Sequence, residues 1–157
     1  AYTIAHRGNY NYFSFKGMRS EGNNELHVTS THYDDQIALD LVRGSQRTVA
    51  IHGCEGNESV AYIGGSDDRL IELITESLED IGISVREAPH HISGTQENNI
   101  VNMTQTQGGV QLELTAQLRK ELFKNRKSSR KNRENKDNWD DLMYDFADAM
   151  KKAIERA

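Results

Sequence analysis

A strand, a turn and the start of a helix follow one another in Ser59-Val60-Ala61-Tyr62-Ile63-Gly64-Gly65-Ser66. The residues before the glycines suit a strand, the glycine pair suits a tight turn, and Ser66 suits the N-cap of a helix. Apolar residues then recur at the spacing of one helix face, at Leu70, Ile71, Ile74, Leu78 and Ile81. Gly82 ends this helix, and residues 83–85 predict a second strand. A unit of strand, helix and strand is typical of α/β proteins.

The rest of the chain repeats this alternation. Strands are predicted at residues 10–15, 48–52 and 110–114, with a weaker candidate at residues 25–29. Apolar residues at helical spacing predict further helices after Asp34-Asp35, after Thr115, and after Asp137 or Asn138. The predicted fold class is therefore α/β, with a mixed, mostly parallel sheet and helices on both faces.

Composition limits the class of protein further. A chain of 157 residues with 36% hydrophobic residues and one proline suits a single α/β domain over residues 1–157. Its one cysteine, Cys54, excludes an internal disulfide. No run approaches the about 18 apolar residues of a membrane span, and no signal peptide is recognisable. We therefore expect a soluble protein without a membrane partner, acting in the cytoplasm or after lysis; the net charge of −5 argues against general nucleic-acid binding.

One carboxylate interrupts a strand that otherwise has the pattern of a protein core. In Val110-Gln111-Leu112-Glu113-Leu114 the apolar residues alternate toward one face, and Gln111 and Glu113 fall on the other. A lone carboxylate in a strand covered on both sides costs several kcal/mol unless it is paired, bound to a metal or placed at a cleft. Glu113 is thus either a functional group or a residue on the wet face of an edge strand.

His52 ends a predicted strand and is followed by the loop Gly53-Cys54-Glu55-Gly56. Ligands of open α/β sheets bind beyond the carboxyl ends of the strands, so His52 suits a metal ligand or a general base, with an ordinary hydrogen-bonded histidine as the alternative. A histidine and a glutamate at one rim are what metal-assisted hydrolysis needs: an imidazole for the cation and a carboxylate for the proton of water. Cys54 is a less favoured thiol nucleophile, because a buried inert thiol is the usual case.

Residues 124–137, the basic segment, lie before the last predicted helix. Against Glu134 and Asp137 they carry the cations Lys124, Arg126, Lys127, Arg130, Lys131, Arg133 and Lys136. A solvated surface run is one interpretation, and attraction of a polyanion is the other. Nucleic acid is the weaker candidate for that polyanion, because the segment lacks aromatic residues on which bases could stack.

Six short pieces occur in order along the chain. They are Tyr12-Phe13-Ser14-Phe15-Lys16-Gly17, Leu26-His27-Val28-Thr29-Ser30, Ile51-His52-Gly53, Ile63-Gly64-Gly65, Asn99-Ile100-Val101-Asn102 and Gly109-Val110-Gln111-Leu112-Glu113. In order and rough spacing they resemble the phage-type poly-γ-glutamate hydrolases. The resemblance implies a zinc carboxypeptidase-like fold and hydrolysis of the γ-linked amide backbone of poly-γ-glutamate, a polyanionic partner with one free carboxylate on each unit.

The resemblance also implies roles for four residues. His52 resembles the last zinc ligand of the family, Glu113 the general base, and Asn99 and Asn102 part of the surface that holds substrate carboxylates. Two further zinc ligands, a histidine and a glutamate, belong to an opening motif that nothing in this sequence matches, so we expect an N-terminal segment to be absent from it. Met103 stands where the family usually has an arginine, and a thioether cannot bind a carboxylate as a guanidinium fork does. Another cation would have to bind the substrate carboxylate.

Two functions follow from these features. The favoured hypothesis is a zinc-dependent hydrolase of poly-γ-glutamate, with His52 as a metal ligand and Glu113 as the base. The alternative is a metal-free polymer-binding or inactive relative. The unmatched opening motif and Met103 favour the alternative, whereas the presence of both His52 and Glu113 favours the enzyme.

Overall fold

A computed structural model describes residues 1–157, except for the side chain of Asn24. Four strands form one sheet in the described chain: β1 (Val49–Cys54), β2 (Val60–Gly65), β3 (Ser84–Glu87) and β4 (Val110–Thr115). Their spatial order is β1, β4, β2, β3. β1 pairs with β4 in parallel, β2 pairs with β3 in parallel, and β2 and β4 are antiparallel. The predicted mixed, mostly parallel α/β sheet is confirmed.

Six α-helices connect and flank these strands in the described chain. They are α1 (Tyr2–Gly8), α2 (Gln36–Arg43), α3 (Asp68–Glu79), α4 (Ala116–Glu121), α5 (Arg130–Arg133) and α6 (Asp141–Glu155). Short 3₁₀ turns occur at Asn23–Leu26, Ser30–His32, His90–Ile92, Ile100–Asn102, Lys124–Arg126 and Lys136–Asn138. None of the helices described here is both long enough and apolar enough to cross a membrane.

The hydrophobic core lies between one face of the sheet and two helices. α3 and α6 pack against each other, α3 lies on β2 and β3, and α1 packs on α6. Leu70 and Ile74 of α3 and Met150 of α6 are completely buried, together with Leu112 of the central strand β4. The amphipathic spacing that predicted α3 therefore matches its buried side.

The other face of the sheet is covered by residues 88–109. The 3₁₀ turn Ile100–Asn102 lies against β4, and α2 packs on that turn. This face carries the even-numbered residues of β1 and β2 and the odd-numbered residues of β4, because the paired positions of neighbouring strands point to one side. The candidate functional residues belong to this second face.

Two of the predicted strands do not form. Residues 10–15 and 25–29 are irregular or 3₁₀. The aromatic residues that gave residues 10–15 their strand character instead make edge-to-face ring contacts, Tyr12 with Tyr2 and Phe13 with Tyr33. High β-propensity is satisfied here by ring packing, since a strand also needs a neighbour to pair with.

Two helices begin later than predicted. The N-cap of α3 is Asp67, whose side chain accepts a hydrogen bond from Leu70 N at 3.0 Å. The backbone N–H of Ser66 donates to Gly109 O at 2.9 Å, just before β4, and the helix starts one residue later. Similarly, Asp140 caps α6, since Asp137 and Asn138 lie in a separate 3₁₀ turn. Thr115 caps α4 as predicted.

Candidate functional site

The pairing of β1 with β4 brings His52 and Glu113 side by side. The two residues are direct register partners in the parallel ladder, so their side chains emerge from the same face, with strands spaced about 4.8 Å apart. Tyr62 of β2 is the register partner of Glu113 on its other side. The structure therefore sets an imidazole, a carboxyl group and a phenol in one row across three strands, near the carboxyl ends of β1 and β4.

Glu113 is buried even though it is ionisable. It is 7% exposed, and β4 lies between β1 and β2, so the interpretation of an edge strand with a wet face is wrong. Burial raises the pKa of Glu113, and this rise is partly opposed by a hydrogen bond from Gln111 and by the positive charge of Arg119. A carboxyl group with a raised pKa is a better base once ionised, which is a common arrangement in active sites.

Two side-chain amides, those of Asn99 and Gln111, form a chain of hydrogen bonds that ends at Glu113. Gln111, two residues earlier on β4, donates from Nε2 to Glu113 Oε1 at 3.4 Å and to Ile92 O at 3.0 Å. Its Oε1 accepts a hydrogen bond from Asn99 Nδ2 at 3.2 Å. Because each amide is fixed at both ends, the chain can hold the Glu113 carboxyl group in one orientation.

His52 is half-buried at the same rim. Burial lowers the pKa of His52, and the nearby His27 lowers it further, so the imidazole is mostly neutral near neutral pH. A neutral imidazole has a free lone pair, which a metal ligand or a general base requires. His27 lies in the exposed stretch after the 3₁₀ turn Asn23–Leu26; it belongs to one of the six resembling pieces, but the sequence assigned it no specific role.

Asn99 and Asn102 lie inside the covering segment. They are 3% and 4% exposed. Asn99 caps its own 3₁₀ turn by accepting from Val101 N at 3.1 Å, and Asn102 donates to Gly94 O at 2.7 Å and Gln96 O at 3.0 Å. Both side chains thus bind protein groups, and contact of either one with a substrate carboxylate stays a prediction.

Arg119, near the ends of β1 and β4, was missed by the sequence reasoning. It lies on α4, where it donates from Nε to Leu114 O at 3.2 Å and from Nη2 to Cys54 O at 2.9 Å. These carbonyls belong to β4 and β1 close to Glu113 and His52. No local pattern marks Arg119, because only the pairing of the two strands brings both carbonyls within its reach.

Cys54 does not have the surroundings of a reactive thiol. Its Sγ lies 3.8 Å from Glu113 O, in the geometry of a weak hydrogen bond from the thiol. Burial, and next the negative charge of Glu113, raise the pKa of Cys54. The thiolate is the nucleophilic form, so a raised pKa argues against the thiol-nucleophile alternative.

The metal-binding capacity of these residues is limited. Among the residues that the structure describes, no group of three or more His, Cys, Asp or Glu side chains could hold a metal ion. A catalytic zinc site has about three protein ligands. The half-buried, neutral imidazole of His52 suits one of those ligands, but the described residues do not form a zinc site by themselves.

A mixed α/β sheet with a histidine and a buried glutamate paired at the strand ends is an arrangement suited to a hydrolase. The profile of the poly-gamma-glutamate hydrolase family matches residues 1–149. The chain belongs to this family.

Relatives and solved structures are similar over most of the chain. The prophage-derived protein YoqZ of Bacillus subtilis is 36% identical over 73% of this chain, and YmaC of the same organism is 31% identical over 94%. The chain spans 42% and 62% of the lengths of these two relatives. A bacteriophage poly-gamma-glutamate hydrolase matches with a TM-score of 0.92 at 30% identity, over 99% of this chain and 74% of that one. A zinc-free apo structure of YndL matches with a TM-score of 0.83 at 26% identity, over 98% and 76%.

Proposed function

We propose that this protein is a zinc-dependent hydrolase that cleaves the γ-glutamyl amide backbone of poly-γ-glutamate. The observation that carries the proposal is the register pairing of His52 with Glu113 at the ends of two parallel strands. Family membership supports the reaction class, and the zinc-free description of the YndL structure supports a metal in the family.

Glu113 is the group that moves the proton in this proposal. Its pKa is raised by burial, so its carboxylate takes a proton from water more readily than an exposed glutamate does. The same carboxyl group then returns the proton to the leaving amine of the cleaved γ-amide, which balances the reaction. Gln111 donates to one carboxylate oxygen of Glu113, and the other oxygen is left for the proton transfer.

His52 would be one of the protein ligands of the metal. When bound, zinc supplies Lewis-acid polarisation of the scissile carbonyl. His52 is suited to this because burial keeps its imidazole neutral. Asn99 fixes Gln111, and Asn102 fixes the covering segment through Gly94 O and Gln96 O. Contact of either side chain with a substrate carboxylate remains part of the proposal.

Hydrolysis of poly-γ-glutamate by the full-length protein tests this function directly. We expect polymer length to fall in size-exclusion chromatography, with release of new amino groups. Glu113→Gln should lower the rate about 10²- to 10⁴-fold, the usual contribution of a general base. Glu55→Gln, a change of an exposed glutamate near the same rim, is the matched control and should hydrolyse normally. Unaltered hydrolysis by Glu113→Gln would refute its role as the base.

The zinc requirement is tested by metal analysis of the same protein. We expect about one zinc per chain, as in other catalytic zinc sites, and a lower zinc content in His52→Gln. His6→Gln, which changes an exposed histidine of α1, should keep its zinc. If the purified protein binds the polymer without zinc and without cleaving it, the metal-free polymer-binding alternative is the correct one.

The basic segment gives the proposed polyanionic substrate a place to approach. It follows α4 after Leu122 and Phe123, and its Lys127, Lys131 and Lys136 are exposed. Part of its charge is used internally, since Arg126 pairs with Glu121 at 3.7 Å and Arg130 with Glu134 at 3.7 Å. We expect KM for the polymer to rise with salt, and to rise less in a Lys127→Gln, Lys131→Gln double variant, because exposed charges are screened. Equal salt dependence in both proteins would exclude this contribution.

A further inference from the structure

The row of side chains at the candidate site continues across the sheet to an arginine. His52 pairs with Glu113, and Glu113 pairs with Tyr62, as described above. Tyr62 in turn pairs with Arg86 of β3. Paired positions of neighbouring strands point to the same side, so the row runs from the imidazole through the carboxyl group and the phenol to a guanidinium group. Val85, next to Arg86 in β3, packs against the hydrophobic core on the opposite face. Arg86 therefore shares its face of the sheet with the candidate site.

Covered strips of the sheet border this row on both sides. On one side the next paired positions are Gly64 and Gln111, where a Cβ atom at Gly64 would collide with Ser93 O of the covering segment. On the other side the hydroxyl group of Thr115 donates to Glu58 O at 2.7 Å, so the loop between β1 and β2 lies over the sheet there. An extended ligand on this face is thus guided along the row, across the strands.

The row becomes more accessible toward β3. Glu113 is 7% exposed, Tyr62 is half-buried, and the side chain of Arg86 is 51% exposed. With strands about 4.8 Å apart, the backbone of Arg86 lies about 10 Å from that of Glu113. An extended γ-linked glutamate unit spans about 6 Å, because two side-chain carbons are part of its backbone. A polymer cleaved at Glu113 and lying along the row would therefore bring a carboxylate to Arg86 about two units from the scissile amide.

Arg86 is oriented by an ion pair that a ligand can replace. Its Nη2 lies 2.7 Å from Glu58 Oε2, and the side chain of Glu58 is 71% exposed. Glu58 and, to a smaller extent, the phenol of Tyr62 raise the pKa of Arg86, so the guanidinium stays charged and close to the row. Exposed ion pairs contribute little to stability, because water and salt screen them. A carboxylate of a bound polymer can thus take the place of the Glu58 carboxylate.

We propose that Arg86 binds a substrate carboxylate in a subsite on the β3 side of the scissile γ-amide. This inference rests on the proposed function, in which each unit of the polymer carries one free carboxylate. A guanidinium binds a carboxylate through two parallel N–H donors, which fixes the direction of the polymer as well as its position. Glu58 occupies the subsite in the free protein and competes with the substrate for it. The competing explanation is an ordinary surface ion pair at the edge of the sheet.

Two variants with opposite expected effects test the subsite. The probes are a γ-linked glutamate oligomer of about six units with free α-carboxylates, which is long enough to reach from Glu113 to Arg86, and the same oligomer with α-carboxamides. Kd is measured by calorimetry in full-length Glu113→Gln protein, which avoids turnover. Adding Arg86→Gln should weaken binding of the carboxylate oligomer about fivefold to fiftyfold, because a charge-assisted pair is lost. Adding Glu58→Gln should tighten it about twofold to tenfold, because the competing carboxylate is removed. The carboxamide oligomer should respond less than about twofold to either change.

A second ion pair provides the matched control for charge. Arg69 pairs with Glu72 at 2.6 Å and is 57% exposed, much like Arg86 with Glu58, but it belongs to α3 on the opposite face of the sheet. Arg69→Gln and Glu72→Gln should each leave Kd of the carboxylate oligomer within about twofold, because solvent screens distant charges. Arg86→Lys should give an intermediate Kd, since it keeps the charge without the fork. In turnover by otherwise native protein, Arg86→Gln should raise KM more than it lowers kcat.

The proposal is overturned by any of the following results. Equal weakening of both oligomers by Arg86→Gln, or an unchanged Kd for the carboxylate oligomer, shows an ordinary surface ion pair. Glu58→Gln and Glu72→Gln that tighten binding equally show a general effect of charge. Failure of the Glu113→Gln parent to bind the carboxylate oligomer also overturns it. Hydrolysis is scored separately: native protein that binds the oligomer without cleaving it refutes the hydrolase function and leaves the binding result for Arg86 standing.

Discussion

The two faces of β4 are equally buried and chemically opposite. One face presents Val110, Leu112 and Leu114, each no more than 4% exposed; the other presents Gln111, Glu113 and Thr115, each no more than 7% exposed. The apolar face packs into the core against α3 and α6 and needs no partner beyond close contact. On the polar face each side chain has a specific hydrogen-bond partner. Because side chains alternate along β4, one face of the strand stabilises the core and the other carries the proposed catalytic group.

Removing apolar volume should cost the most stability. Leu112→Ala deletes a side chain that is completely buried in the core, and we expect a loss of about 2–5 kcal/mol in the free energy of unfolding. Urea denaturation measures it. Ile37→Ala, at a position that is 68% exposed, is the control and should change stability by less than about 0.5 kcal/mol. A loss of under about 1 kcal/mol for Leu112→Ala would mean that this face is not the stabilising one.

Gln111→Leu should show what a missing partner costs on the polar face. The change leaves Asn99 Nδ2 and Ile92 O without their hydrogen bonds, for a predicted loss of about 1–3 kcal/mol. It also removes the donor that lowers the pKa of Glu113, so the acidic limb of the pH–rate profile should move to higher pH. Gln105→Leu, an exposed glutamine, should move neither quantity. An unshifted pH–rate profile would show that Gln111 does not influence the ionisation of Glu113 during catalysis.

Thr115 provides a smaller test at the end of the same face. Its hydroxyl accepts from Leu118 N at 3.2 Å as the N-cap of α4 and donates to Glu58 O at 2.7 Å. Thr115→Ala should lower stability by about 0.5–2 kcal/mol, the usual cost of a lost cap. Thr115→Ser keeps the hydroxyl and should retain most of that stability in the same denaturation assay. Equal losses in both variants would point to packing of the methyl group instead.

Glu113→Gln should have the smallest effect on stability and the opposite sign. The folded protein raises the pKa of Glu113, so its contribution to stability is present at acid pH and lost as pH rises above the ordinary value of 4.5 and through the native pKa. The amide avoids burial of a charge, and we expect the variant to match the native protein at acid pH and to exceed it near neutral pH. Denaturation over a pH series measures the difference. A variant that is less stable than the native protein at neutral pH would show that the contacts of the Glu113 carboxylate fully offset the cost of burying its charge.

Sequence patterns predicted the α/β class, the unit from β2 to β3, and the helical face of α3. They also identified Glu113 as a carboxylate without a local explanation. They failed at residues 10–15, where aromatic residues pack as rings, and at the N-cap of α3, which is Asp67 rather than Ser66. The first error arises because propensity describes a residue and its neighbours in sequence, whereas the ring contacts come from residues farther along the chain.

Local patterns were enough to place His52 near the end of one strand and to set Glu113 opposite the apolar face of another, because the two-residue period of a strand is a property of its own sequence. That His52 and Glu113 are register partners depends on the pairing of β1 with β4, between segments far apart in the chain. The same pairing brings the carbonyls of Cys54 and Leu114 together beneath Arg119, while folding of residues 88–109 buries Asn99 and Asn102. Such relations arise only when the folded backbone satisfies its hydrogen bonds across the sheet.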